Sequence, residues 1–281
     1  MLLFNNPQIE QILSLALNED IGTGDITTLS TIPEDKIAHG RFIAKEGMIL
    51  CGIPLAAHVF ERVDKDIRFE AFFKDGDMVK KGDVIAEVTG NAQNVLTGER
   101  TALNFMQRLT GIATRTHAAV AEVAGTKAKI TDTRKTTPGL RVLEKYAVRV
   151  GGGTNHRFNL ADGVLIKDNH IAVSGGITSA VQNARAVIPH TLKIEVEVET
   201  KEQLLEALEA GADIVMLDNM SNEQMRECVA LVGGRALVEA SGNMGEKSLA
   251  EVAQTGVDII SIGALTHTVK AADISLKFTI S

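Results

Sequence analysis

The chain has 281 residues, 44% of them hydrophobic and 23% charged, with a formal net charge of -7. This size allows one large domain or two unequal ones around a substantial core, and the acidic balance excludes a general binder of nucleic-acid backbones or acidic membranes, which needs Lys and Arg spread over a surface. No apolar run approaches the length of a membrane span, Met1 to Asn6 lack the basic start of a targeting peptide, and Cys51 and Cys228 follow no metal or redox spacing, so a cytoplasmic protein with reduced thiols is expected.

Pro7 suits the first turn of a helix after Asn5 and Asn6, and Ile9, Ile12, Leu13 and Ala16 share one face, so a helix is predicted from there to Glu19 and Asp20. Gly22 to Thr28 is glycine-rich and polar and reads as a loop. Between Arg41 and Thr89 the pattern turns to short strands. Phe69 to Phe73 and Val84 to Val88, the latter following a turn at Lys80 to Asp83, are expected in antiparallel sheet. The run Gly76 to Ile85 also resembles the hairpins of lipoyl and biotinyl carrier domains, although it lacks a carrier lysine at the tip in the required context. From Thr97 a long helix is predicted, with Ala102, Phe105, Met106 and Leu109 on one face. Arg100 lies about 160° around the helix from Ala102, facing solvent or another subunit.

Beyond residue 125 the chain alternates. Strands are predicted at 129–133, 163–167, 192–198, 213–217, 235–240 and 258–262, with helices at 140–149, 177–187, 201–210, 222–231 and 246–254. Such alternation calls for a parallel sheet. Each strand ends in polar or small residues: Thr133-Arg134-Lys135, Lys167-Asp168, Glu195 to Glu197, Asp218-Asn219, Glu239 to Gly242, and Gly263-Ala264. Six such ends favour a closed or nearly closed barrel with one reactive mouth over an open sheet, and six strands rather than eight make that barrel incomplete.

Within this pattern, Thr133 to Gly139, Gly151 to Arg157 and Lys167 to His170 place a compact excess of positive charge in an acidic protein. That suits a small polyanion. Guanidinium forks match carboxylates at two points, and lysine supplies a compact charge for phosphates. Glu197 and Asp218 end adjacent strands and offer hard oxygen ligands, but Glu195 and Glu199 share the strand parity of Glu197. Arg141, Lys145 and Arg149, spaced at i, i+4 and i+8, read as a solvent-facing basic stripe. His170, His267 and Asp168 read as structural.

Several stretches carry a family resemblance in their order and spacing. They are Glu19 to Asp25, Gly98 to Asn104, Thr133 to Gly139, Glu144 to Val148, Gly151-Gly152-Gly153 with His156-Arg157, Leu165 to His170, Leu217-Asp218-Asn219, and Gly263 to His267. Over nearly its whole length the chain resembles the quinolinate phosphoribosyltransferases, decarboxylating enzymes that make nicotinate mononucleotide for NAD synthesis. The resemblance implies an α/β protein: an N-terminal open-faced α/β sandwich domain, residues 1–111 with 269–281 as a returning segment, joined to an incomplete TIM-like α/β barrel, residues 112–268. It implies quinolinate and 5-phosphoribosyl 1-pyrophosphate as substrates, with Arg134, His156 and Arg157 gripping the two carboxylates. Lys135 and Lys167 would be shared between substrate and phosphates, and Glu197 and Asp218 would hold Mg2+. Thr133, Ser241, Gly242, Asn243, Ile262, Gly263 and Ala264 would line the substrate site. It also implies a homodimer in which Arg100 enters the neighbour's site, with further assembly left open. The rival readings are a phosphoribosyltransferase of the same fold acting on another ring acid, and a non-catalytic module built on the lipoyl-like hairpin.

Overall fold

A computed structural model describes residues 6–280. The elements in chain order are α1 (Pro7–Ile21), α2 (Ile26–Thr31), β1 (Ile37–Ala44), β2 (Met48–Ile49), α3 (Ile53–Val63), β3 (Arg68–Ala71), β4 (Met78–Val79), β5 (Val84–Asn91), α4 (Ala92–Glu122), β6 (Lys129–Thr131), α5 (Arg141–Val150) and β7 (Val164–Ile166). They continue with α6 (Asp168–Ser174), α7 (Ile177–Val187), β8 (Ile194–Val198), α8 (Lys201–Glu209), β9 (Ile214–Asp218), α9 (Asn222–Val232), β10 (Leu237–Ser241), α10 (Leu249–Ala253), β11 (Ile259–Ser261), α11 (Ala264–His267) and β12 (Ile274–Ile280). By internal contacts the chain divides into two compact units. One holds the residues up to His117, Thr137–Gly152 and those from Thr268 on; the other holds Ala118–Thr136 and Gly153–His267.

The first unit is built on the antiparallel sheet β12-β1-β5-β3. Alternate residues of β1 are buried, so one face of this sheet is a core face. There Phe42, Phe60 and Phe69 meet with ring centroids 5.7–6.1 Å apart, an aromatic cluster that draws on β1, α3 and β3. The predicted pairing of the Phe69 and Val84 segments is present as β3 against β5. The lipoyl-like hairpin is not: β4 pairs with β2, because Gly82 and Asp83 turn the chain away before β5 begins. The loop expected over residues 22–28 is helical from Ile26, since the Asp25 carboxylate accepts the Thr28 amide at 3.0 Å and caps a short helix. Helix α3, read among short strands in the sequence, buries Ile53, Leu55, Ala56, Val59 and Phe60.

Glu144 on α5 is fully buried and accepts from the Arg108 guanidinium on α4 at 2.6 and 2.9 Å and from the Thr137 amide at 3.1 Å. Lys145, expected on a solvent-facing stripe, is only 3% exposed. The amphipathic stripe of α5 is wider than the apolar residues alone suggest, because the buried Glu144 and its neighbour lie on the covered face.

The segment before β12 runs along α4: the Ala272 amide donates to the Gln107 carbonyl at 2.9 Å, and the Gln107 amide donates to the Ile274 carbonyl at 2.7 Å. Gly111 makes that approach possible, since a Cβ there would lie 2.2 Å from the Lys270 carbonyl oxygen. Glycine to alanine in a helix interior ordinarily stabilises by about 1 kcal/mol. At Gly111 the sign inverts, and Gly111→Ala is expected to destabilise by about 2 kcal/mol or more because the obstacle is backbone. Chemical denaturation checks this, and an unchanged or raised midpoint refutes it.

The second unit is a parallel sheet in the order β6-β11-β10-β9-β8-β7. Each strand from β7 to β11 lies beside its successor, and β11 returns to β6; this is the cyclic order of an α/β barrel. β6 and β7 form the two edges, so the barrel is incomplete, with Thr154 bridging to Thr131 on the β6 edge. The registers place Glu195, Glu197, Met216, Asp218, Glu239, Ser241 and Ser261 on one face of the sheet, while Val196, Val198, Val215, Leu217, Val238 and Ala240 alternate onto the other.

Candidate active site

The polar face of the second unit gathers most of the residues expected from sequence. Beyond β6, Asp132 is fully buried, whereas Arg134 and Lys135 are exposed. The Lys135 amide donates to the Thr133 hydroxyl at 3.0 Å, and its carbonyl accepts from the Thr266 hydroxyl at 2.8 Å. The backbone carrying Arg134 and Lys135 is therefore tied at both ends of its turn. Gly263 passes close beneath the lysine stem: a Cβ there would lie 2.9 Å from Lys135 Cδ.

Asp132 also organises the glycine-rich loop that follows α5. Its carboxylate accepts from the Asn155 side chain at 2.6 Å and from the His156 amide at 2.9 Å. Arg157 follows, half-buried, and its guanidinium donates to the Gly163 carbonyl at 3.0 Å. Burial, together with the Arg134 guanidinium nearby, lowers the Arg157 pKa from its ordinary value, while Glu195 and Asp162 oppose that shift. Two guanidinium forks in this unit suit a doubly charged anion.

Lys167 follows β7 at the N-cap of α6, and its ammonium forms an ion pair with the Glu197 carboxylate. The Lys167 amide donates to His170 Nδ1 at 3.0 Å, which makes His170 a cap for α6. Asp218 ends β9, one pleat beyond the register partner of Glu197 and on the same face, and accepts from the Asn219 side-chain amide at 2.7 Å. Beside it, Ser241 accepts the Asn219 amide through its carbonyl at 3.1 Å. Gly242 (φ 91°) would place a Cβ 2.2 Å from Asn219 Oδ1, so only glycine fits this turn. Asn243, with φ 52°, completes it. Ile262 is buried, and Gly263 and Ala264 open the short α11.

The three acidic residues of equal parity on and just beyond β8 are separated by depth. Glu199 is exposed, Glu197 is half-buried with Lys167, and Glu195 is buried against His156. The His156 ring points its Nε2 at two protein carboxylates, 3.1 Å from Glu195 and 3.7 Å from Glu239. Burial and the adjacent Glu195 push the Glu239 carboxyl up to about 7. Sequence reasoning passed over Asp132 and gave Glu239 no role; strand alternation placed Glu239 on the polar face, but nothing local marked it as buried. Arg100 belongs to the other unit, where it is exposed on α4. Both cysteines are free and buried, and no helix among the described residues is long and apolar enough to cross a membrane.

The chain matches the family models of the quinolinate phosphoribosyl transferase N-terminal domain over residues 25–110 and C-terminal domain over residues 112–277. It is 48% identical over 277 residues to a probable nicotinate-nucleotide pyrophosphorylase (carboxylating) of Bacillus subtilis (strain 168), covering 99% of this chain and 96% of the relative. It is 45% identical to the mitochondrial quinolinate phosphoribosyltransferase (decarboxylating) 2 of Nicotiana glauca, covering 96% of this chain and 82% of the relative. The solved nicotinate-nucleotide pyrophosphorylase of Francisella tularensis superimposes with a TM-score of 0.93 at 43% identity, covering 99% of each chain. The chain belongs to the quinolinate phosphoribosyltransferase family.

Proposed function

We propose that the chain transfers the phosphoribosyl group of 5-phosphoribosyl 1-pyrophosphate to the ring nitrogen of quinolinate, releasing pyrophosphate and carbon dioxide and forming nicotinate mononucleotide for NAD synthesis. The observation that carries this reading is the placement, in one unit, of Arg134 beyond β6 and Arg157 on the loop that Asp132 holds through the His156 amide, two guanidinium forks that suit a ring bearing two adjacent carboxylates. Relatives over the full chain length bear the corresponding names.

The chemistry asks the protein for positioning and charge rather than a covalent intermediate. The ring nitrogen attacks the anomeric carbon as the bond from that carbon to the pyrophosphate oxygen breaks, and the electron pair leaves with pyrophosphate. The bond between ring carbon 2 and its carboxylate then breaks, carbon dioxide departs, and the pair left on that carbon takes a proton from water. Arg134 and Arg157 hold the carboxylates, and Lys135 stands beside the carbon on which negative charge develops. Lys167 balances charge between the substrate and Glu197.

Glu197 and Asp218 are oxygen donors on one face of neighbouring strands and are both partly open to solvent, a donor set that fits magnesium with several of its waters retained. Bound there, the metal would offset the charge of the departing pyrophosphate. In this reading the protein works in the cytoplasm as a homodimer, with the exposed Arg100 supplied to the neighbouring copy's site. Incubation with quinolinate, phosphoribosyl pyrophosphate and magnesium is expected to yield nicotinate mononucleotide and one equivalent of carbon dioxide, while nicotinate in place of quinolinate yields neither. Equal use of nicotinate, or no mononucleotide at all, refutes the reading.

A further inference from the structure

Glu195 and Glu239 have no part in the chemistry above, yet both are buried, with side chains 5% and 1% exposed. One oxygen of each, Oε1, has no hydrogen-bond partner, an arrangement that costs stability and calls for a compensating role. Their other oxygens face the His156 ring.

The ring's protonation follows from its second nitrogen. The Arg157 backbone N–H lies 2.8 Å from His156 Nδ1, and a backbone amide can only donate, so Nδ1 carries a lone pair. The neutral ring then bears its proton on Nε2 and donates it to Glu195. The three groups lie within 4.8 Å of one another, a spacing that would also suit a cation. A metal would need the Nε2 lone pair, and moving the proton to Nδ1 to supply it would break the bond from Arg157.

We propose that Glu195 and Glu239 are positioning residues for Arg157 and act through His156: the carboxylates hold the Nε2–H form, and the bare Nδ1 holds the Arg157 amide in place. Asp132 pins the other side of the same residue pair through the His156 amide, so the backbone bearing Arg157 is anchored from β8 and from the segment just beyond β6. The anchor matters because Arg157 stands on the loop between α5 and β7 rather than on a regular element, so its backbone is placed by such bonds. By these bonds His156 also acts on the diacid site through its neighbour. The inference rests on the reading that Arg157 grips a quinolinate carboxylate.

Nitrogen NMR of the histidine rings in the unliganded protein, with the His156 signals assigned by their loss in His156→Asn, reads the tautomer directly and does not depend on activity. The expected result is an Nε2–H ring in the wild type and in Glu195→Gln, which keeps an acceptor, and a mixed population in Glu195→Leu. In parallel, Glu195→Leu is expected to raise the quinolinate KM about tenfold or more, the loss of one well-placed charged contact, with kcat and the phosphoribosyl pyrophosphate KM changed less than about threefold. Glu195→Gln restores the quinolinate KM. An Nδ1–H ring or an imidazolium in the wild type overturns the proposal, and so does an unchanged quinolinate KM in Glu195→Leu or an equal loss for both substrates. Should Glu195→Leu fail to fold, Glu195→Ala against Glu195→Gln gives the same comparison, since Glu195 Oε2 is the carboxylate oxygen within hydrogen-bond reach of Nε2. Failure of the functional reading shows separately, as a wild type that makes no mononucleotide while its His156 tautomer stands as expected.

Discussion

Arg134→Ala is expected to lower kcat/KM for quinolinate by about 100- to 1000-fold while leaving the unfolding midpoint within about 0.5 kcal/mol of wild type. The residue is exposed beyond β6, on a turn whose Lys135 backbone is held by the Thr133 and Thr266 hydroxyls, so the turn is tied by other residues. Its loss leaves one substrate carboxylate without its two-point partner, and a charge-assisted bidentate pair is among the strongest contacts a site can offer. Arg134→Lys should recover little, because an ammonium cannot reproduce the planar fork. Steady-state kinetics alongside denaturation decide the matter. Wild-type-like turnover in a folded Arg134→Ala protein removes Arg134 from the site.

Lys167→Ala is expected to cost about 1000-fold in kcat/KM, felt through both substrates. The ammonium is paired with Glu197, and its removal leaves that carboxylate facing the site with its charge unbalanced. Two polyanionic substrates then meet added negative charge where a positive one stood. The ammonium is partly exposed, with 43% of the side chain accessible, so the effect belongs to binding and catalysis rather than to folding. Lys167→Met, which keeps most of the stem, separates lost charge from lost packing. Turnover within tenfold of wild type in the methionine variant would show that the charge is dispensable.

Most of the second unit was legible in the sequence because strand and helix periods differ and each leaves its own mark. All six strands of the parallel sheet, from β6 to β11, lie where alternation and length put them, and the polar strand ends proved to share a mouth because parallel strands place their carboxyl ends together. The first unit was read less completely. Helix α3 has strong apolar character with few polar markers, so its period was lost among short strands, and α2 depends on one capping aspartate that reads locally as part of a loop. The lipoyl-like pattern failed for a related reason: a turn signal states that the chain bends, but the choice of partner for β4 belongs to β2, thirty residues upstream.

By itself the sequence determined the class of fold, the residue types at each strand end, and the family, because these depend on local periodicity and on motifs in fixed order. Only the tertiary structure decided depth and direction. Glu195, Glu197 and Glu199 have the same parity, and what separates them is how far each sits from solvent and which side chain arrives from another strand or loop: His156, Lys167, or none of these. Lys145 and Glu239 likewise became buried through segments remote in sequence. Periodicity tells a residue which way to face; the contacts that surround it there, and hence its charge state and its task, are made by parts of the chain that no local pattern describes.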